Sequence, residues 1–195
     1  MERAIRGGEW WLDPKGTDLV TLAKNAGNWD EDAFRAAVAD YVPAPQSERV
    51  LALVDRVLAN PHRSGVYWGG GQYPSSNISF AFPGSTNDYG AVILSIYTSP
   101  TRTVLAINFH WMAWGGIGFE DMERVASAVR VLPGVEPLYA DLAESDYHRR
   151  PSLPVAEVFA DESAGEVIAT AIESLLERLW SGEATARDGD GAGAA

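Results

Sequence analysis

The centre of the chain, residues 65–118, changes from a helical to an alternating hydrophobic period, and this change constrains the fold more than any other feature. Apolar residues alternate with small or polar ones in three runs, at 77–82, 91–97 and 104–111, and a shorter strand is expected at 66–68. A period of two residues is typical of strands that have one apolar face. The pattern therefore predicts an antiparallel meander over about 66–111.

The loop between the second and third runs, residues 99–102, sets the expected register. It places Leu94 opposite Ile107 and Ile96 opposite Leu105, and it extends the pairing to Val92 and Phe109. The longer turn at 84–89 is expected to set Phe80 beside Leu94. In this register one face of the sheet is strongly apolar.

The opposite face of the meander is mixed in character. Its polar members are Asn77, Ser79, Ser95, Tyr97, Asn108 and His110, which lie among alanine, valine and isoleucine residues. We expect this face to be either wet or the floor of a shallow groove.

Helices are predicted on both sides of the central block. Apolar residues recur at helical spacing in four stretches: 30–41, from 46 or 47 to 59, 119–131 and 163–180. A short helix is also expected at 18–26, after Thr17. Residues 43–46 are expected to separate two of these helices, residues 138–142 fit a short strand or a turn, and residues 149–154 are expected to be extended.

These elements predict one α+β domain. Its antiparallel sheet of three to four strands is covered on one face by the N- and C-terminal helices. An irregular arm is expected at 1–16, and Trp10 and Trp11 are expected to attach it to the body. The domain is expected at 17–181, and a disordered acidic, Gly/Ala-rich tail at 182–195.

Composition excludes several kinds of chemistry. The chain has 27 acidic and 15 basic residues, a net charge of −12, and no cysteine. Thiolate metal sites, disulfides and cysteine nucleophiles are therefore excluded, and broad binding to nucleic acid is disfavoured because a phosphate backbone repels such a surface. The N-terminal residues show neither a secretory signal nor a membrane span, so we expect a cytoplasmic protein.

No motif specifies a catalytic, metal or cofactor site. The glycine-rich stretch at 65–71 lacks the lysine and hydroxyl residue of a phosphate-binding loop, and the histidines lack metal-ligand spacing. His110, with Asn108 nearby, is a weak catalytic candidate that needs a carboxylate to orient it, and Glu120, Asp121 or Asp146 could supply one. The competing interpretation is a hydrogen-bonded strand histidine. We predict no metal and no cofactor.

Aromatic residues beside glycines form a second group of candidates. The predicted binding residues are Tyr67, Trp68, Gln72 and Tyr73 at one end of the central block, and Trp111 and Trp114 at the other. Tryptophan and tyrosine offer large contact areas with a polar group, which suits partner recognition. The competing interpretation is that these rings close the ends of the core.

Two functions remain open from the sequence. The leading hypothesis is a non-enzymatic, acidic binding or accessory protein that engages a protein partner, for instance in bacterial immunity or defence, since the small acidic α+β body resembles such proteins in general outline. The alternative is a hydrolase or small-ligand enzyme that uses His110 on the mixed face.

Overall fold

The fold is described from a computed structural model, which describes residues 29–69, 72–86 and 88–184. The predicted arm at 1–16, with Trp10 and Trp11, and the helix expected at 18–26 lie outside the described residues. Of the tail predicted at 182–195, the structure describes residues 182–184.

The described chain forms seven helices and five strands. The helices are α1 Glu31–Tyr41, α2 Ala44–Leu58, α3 Phe109–Trp114, α4 Phe119–Arg130, α5 Glu136–Tyr139, α6 Val155–Val158 and α7 Ala164–Ser181. The strands are β1 Arg63–Tyr67, β2 Ser75–Phe80, β3 Ala91–Tyr97, β4 Val104–Ile107 and β5 Leu153–Pro154. The predicted α+β class with an antiparallel sheet is confirmed.

The sheet has the order β1-β2-β3-β4-β5, and every neighbouring pair is antiparallel. It has five strands rather than the three to four predicted, because two residues of the stretch expected to be extended pair with β4. Leu153 lies opposite Leu105 in this added edge strand. Consecutive strands are therefore neighbours throughout, as in a meander.

The predicted register is confirmed between β3 and β4 and is wrong in part between β2 and β3. Leu94 lies opposite Ile107, and Ile96 lies opposite Leu105. Phe80, however, lies opposite Ala91, whereas Ile78 lies opposite Leu94. A register shift between Ile78 and Ser79 leaves an extra residue in β3, and a bulge of this kind cannot be predicted from alternation alone.

The third alternating run ends as a strand at Ile107, four residues before the predicted end, and the chain continues as helix α3. The predicted pairing of Val92 with Phe109 is therefore wrong. The amide groups of Trp111 and Met112 both donate to the carbonyl oxygen of Asn108, which starts the helix. Phe109 and Met112 are buried at helical spacing, and over so few residues this spacing resembles alternation.

The helices outside the sheet differ little from the prediction. The Asp30 carboxylate caps α1 by accepting from the Ala33 amide at 2.8 Å. Helix α2 begins at Ala44, earlier than predicted, because a proline at the first turn of a helix costs no hydrogen bond. The ambiguous stretch at 138–142 contains the end of the short helix α5, followed by turns.

Buried side chains of the helices and the strands belong to one hydrophobic core. Ion pairs join the helices at its edge. Arg56 of α2 holds Glu173 of α7 at 2.7 Å, and Arg178 of α7 holds the buried Asp121 of α4 at 2.8 Å. These contacts arrange the helices around the sheet that carries the polar residues described next.

Candidate functional site

A network of buried polar side chains lies across β2, β3 and β4 on the face predicted to be mixed. Asn77 and Ser95 are cross-strand partners, and the Ser95 hydroxyl donates to the Asn77 side-chain oxygen at 2.7 Å. The Asn108 amide donates to the same Ser95 hydroxyl at 2.7 Å. All three side chains are at most 3% exposed, so this part of the face is not wet. Each bond satisfies a polar group that would be costly to bury alone.

The network continues to a charged group at its edge. The Tyr97 hydroxyl donates to the Asn77 side-chain oxygen at 3.2 Å and accepts a bond from Nη1 of Arg150 at 2.8 Å. The Arg150 guanidinium carbon lies 4.9 Å from the centre of the Tyr97 ring, a cation–π geometry. An exposed arginine is thus joined through Tyr97 to the buried network.

His110 lies two residues after Asn108, in the first turn of α3. Its Nδ1 is buried, with no hydrogen-bond partner among the described residues. Burial, and to a smaller extent the charges of Arg150 and His148, lower the pKa of His110 to about 4. His110 is therefore neutral near pH 7, and it is a weak base compared with one whose pKa lies near the working pH.

The carboxylates considered for a catalytic pair with His110 have other roles or positions. Asp121 is bonded to Arg178, and Glu120 is paired with Arg124. Asp146 is exposed and has a left-handed backbone, with φ of 49°. The charges that act on the pKa of His110 come from Arg150 and His148 instead.

The loop that carries His148 and Arg150 is held at both ends. At the start, the Tyr147 ring lies 5.8 Å from that of Phe109, and its hydroxyl donates to Glu123 of α4. At the other end, Leu153 pairs with Leu105 in the sheet. Because Phe109 and Tyr147 pack together, the residues that follow them, His110 and His148, are brought near each other.

Trp111 and Trp114 lie on α3, and Trp114 has the more exposed side chain. Trp114 is 60% exposed, and its ring meets that of Trp111 at 6.3 Å in an edge-on geometry. Its carbonyl oxygen accepts from the Thr86 hydroxyl at 2.7 Å, and the Thr86 amide donates to the Gly115 carbonyl oxygen at 3.1 Å. The surface tryptophan is therefore attached to a firmly bonded backbone.

Glycine is required just after Trp114 for two physical reasons. A side chain at position 115 would place its Cβ 2.8 Å from that of Ala91, which is too close. Gly116 has φ of +96°, a conformation that other residues adopt only with strain. Gly115 therefore serves the packing of α3 against β3.

The other predicted binding residues lie at the opposite end of the sheet. Trp68 is partly buried with its ring 5.3 Å from that of Phe34, and Tyr73 meets Tyr41 at 6.2 Å. Gln72 is exposed, and Tyr67 is half-buried opposite Asn77. β2 begins opposite Tyr97, at one end of β3. Gly115 packs on Ala91, at the other end of β3. The two aromatic groups are therefore separated by the length of β3, roughly 20 Å. The structure does not bring them together.

Sequence reasoning identified Asn77, Ser95 and Tyr97 as one face but did not connect them to Arg150. Arg150 belongs to a run of charged residues at 141–150, and the stretch at 149–154 was expected only to be extended. The tyrosine at 147, a large aromatic residue inside this polar run, was the available signal that the loop is anchored to the core.

The described residues give no sign of a metal centre or of a membrane span. Within 29–69, 72–86 and 88–184, no group of three or more histidine, aspartate or glutamate side chains is arranged to hold a metal ion. None of the helices described is long and apolar enough to cross a membrane. Comparisons of the chain with protein-family models, with curated proteins and with solved structures found no match.

Proposed function

We propose that this is a non-enzymatic, acidic binding protein that engages a protein partner through the surface around Trp114. The observation that carries this function is the exposure of Trp114, 60%, on a backbone held by Thr86. A large aromatic side chain left in water has an unused capacity to bury apolar area, and tryptophan is enriched among the residues that dominate binding energies.

The surroundings of Trp114 favour a partner of particular chemistry. Phe119, at the start of α4, is 38% exposed and is followed by the exposed Glu120. The loop that holds Trp114 carries exposed Asp88 and Tyr89. Together with the net charge of −12, these residues favour a basic partner surface with an apolar pocket for the indole.

A partner of this kind is consistent with neutralising a toxin or completing a bacterial defence assembly, which is the specific role that we propose. We also propose that the protein acts in the cytoplasm, as expected from the sequence. Association with a basic partner should weaken as salt is added, because screening reduces the attraction between exposed charges.

Capture experiments with tryptophan variants test this function. We expect the Trp114→Ala protein to lose a specific partner that the wild type retains, with at least a tenfold weaker affinity for the purified partner, since an aromatic hot spot contributes about 2 kcal/mol or more. Its thermal stability should be nearly unchanged, because the side chain is mainly in water.

Trp180→Ala is the matched control. Trp180 is 46% exposed, but it stacks on His62 at 4.4 Å and lies on another helix, α7. This variant should retain the partner even if it melts at a lower temperature. Retention of the partner by Trp114→Ala, or loss by both variants alike, would contradict the proposed surface.

A further inference from the structure

Arg150 differs from most arginines of this acidic chain. Seven of the ten arginines that the structure describes are paired with carboxylates, namely Arg35, Arg49, Arg56, Arg124, Arg130, Arg149 and Arg178. Arg150 is placed instead on the uncharged Tyr97. Its neighbour Arg149 pairs with Asp141 at 2.9 Å, so that carboxylate is already occupied.

Tyr97 orients Arg150 without neutralising it. One nitrogen, Nη1, donates to the hydroxyl, and the ring lies under the guanidinium plane. A guanidinium has five N–H donors in a planar arrangement that matches the two oxygens of a carboxylate or phosphate. The remaining donors of Arg150 have no hydrogen-bond partner among the described residues and are exposed at the surface.

His110 supplies a second polar atom beside this arginine. Its buried Nδ1 has no hydrogen-bond partner within the described chain, which is uncommon for a buried nitrogen. The charges close enough to affect its pKa are those of Arg150 and His148, both of which oppose protonation.

We propose that Arg150, Tyr97 and His110 form a binding site for the oxyanion group of a small molecule, either a carboxylate or a phosphate. Arg150 binds two of its oxygens, Tyr97 holds the guanidinium in position, and His110 contributes a hydrogen bond from its imidazole. The buried network of Asn77, Ser95 and Asn108 holds Tyr97 in place through the hydrogen bond from the Tyr97 hydroxyl to Asn77. The site uses different residues from the Trp114 surface, and it stands or fails independently of the partner proposed there.

Histidine resonances provide a direct measurement. We would titrate isotope-labelled full-length protein separately with inorganic phosphate and with acetate, replacing chloride so that ionic strength stays constant, and assign His110 from the spectrum of His110→Asn. A bound anion should shift the His110 signals saturably and raise its pKa by roughly one, since an opposite charge nearby favours the imidazolium. Saturation by acetate alone assigns a carboxylate ligand, and saturation by phosphate alone assigns a phosphate.

Two adjacent arginines give a matched pair of variants. Arg150→Gln should weaken anion binding at least tenfold, whereas Arg149→Gln, with the same change of charge, should bind within about twofold of the wild type, because Arg149 is already paired. Without any anion, Arg150→Gln should also raise the pKa of His110, since one of the charges that lower it is removed. Arg150→Lys keeps the charge but loses the planar arrangement of N–H donors. Its affinity for the anion should therefore lie between those of the wild type and Arg150→Gln.

Three results would overturn the site. They are the absence of a saturable His110 shift with either anion, equal weakening by Arg149→Gln and Arg150→Gln, and unchanged binding by Arg150→Gln. Arg150 is exposed, so loss of folding is not expected to obscure its variants.

Discussion

Both faces of the sheet contain buried side chains, but different forces stabilise them. On one face Leu94, Ile78 and Ile107 lie opposite one another and are fully buried. On the other face Asn77 and Ser95 lie opposite one another, at 3% and 1% exposure. The apolar face is stabilised by the area that it removes from water, whereas the polar face is stable only because each group finds a partner. The extent of burial alone therefore does not distinguish residues that only pack the core from residues that support a candidate site.

The largest expected effect is on the apolar face. Leu94→Ala should lower the free energy of unfolding by about 2–5 kcal/mol, because it removes buried methyl groups and leaves a cavity. Urea denaturation measures this change. Val131→Ala removes apolar atoms from a side chain that is 74% exposed, and it should change stability by less than about 0.5 kcal/mol. A small effect of Leu94→Ala would show that this face is not tightly packed.

The polar face should respond less, and as a connected unit. Asn77→Ala removes the acceptor of both Ser95 and Tyr97 and should cost about 1–3 kcal/mol. In a double-mutant cycle with Ser95→Ala, the coupling energy should exceed about 0.5 kcal/mol, since the two side chains share a bond. Ser79→Ala, at a half-buried position of the same strand, is the control. Additive effects would indicate separate hydrogen bonds rather than a network.

Two buried tyrosines, Tyr139 and Tyr147, differ in whether the hydroxyl group has a hydrogen-bond partner. Burial raises the pKa of the Tyr139 hydroxyl well above its usual value, and this hydroxyl has no hydrogen-bond partner among the described residues. Tyr139→Phe should therefore raise the free energy of unfolding by up to about 1 kcal/mol. The Tyr147 hydroxyl donates to Glu123, so Tyr147→Phe should lower the free energy of unfolding by about 1 kcal/mol. Thermal melts measure both, and changes of the same sign would contradict this difference.

The remaining effect is confined to acid. His110 binds a proton with a pKa of about 4 in the folded protein, compared with 6.5 when unperturbed, because burial and then the charges of Arg150 and His148 oppose its protonation. The unfolded chain therefore takes up the proton first, and stability should fall as pH decreases from 6.5 toward 4. His110→Asn should flatten this part of the profile.

Urea denaturation at several pH values above 4.5 measures this slope, in the range between the folded and the unperturbed pKa of His110. His62→Asn serves as the control for the loss of a histidine. A slope retained by His110→Asn would assign the acid sensitivity to another group.

Much of the fold followed from periodicity in the sequence. Leu105 and Ile107 were placed correctly against β3 because a slip of one residue would have exposed the apolar face. The last helix was predicted to within a residue at each end, because its apolar stripe is continuous. Phe109 was misassigned to a strand, since a few residues of alternation do not distinguish a strand from the first turn of a helix.

The candidate site followed from the sequence only in part. The polar residues at 77, 95, 97 and 108 were recognised as one face, and His110 was singled out near them. Their association with Arg150 depends on a contact between residues 53 positions apart, and local patterns do not record such contacts. The separation of Trp68 from Trp114 was likewise invisible, because it depends on which ends of the strands meet which helices.

Sequence and tertiary structure thus account for different properties of the central block. Hydrophobic periodicity is a local property, and it was sufficient to establish the α+β class, the antiparallel order and which side chains of β3 and β4 share a face. Long-range packing decided that Trp114 remains in water while Trp68 packs on Phe34, and that Arg150 rests on Tyr97 rather than on a carboxylate. Exposure and charge pairing depend on distant residues that come together only on folding.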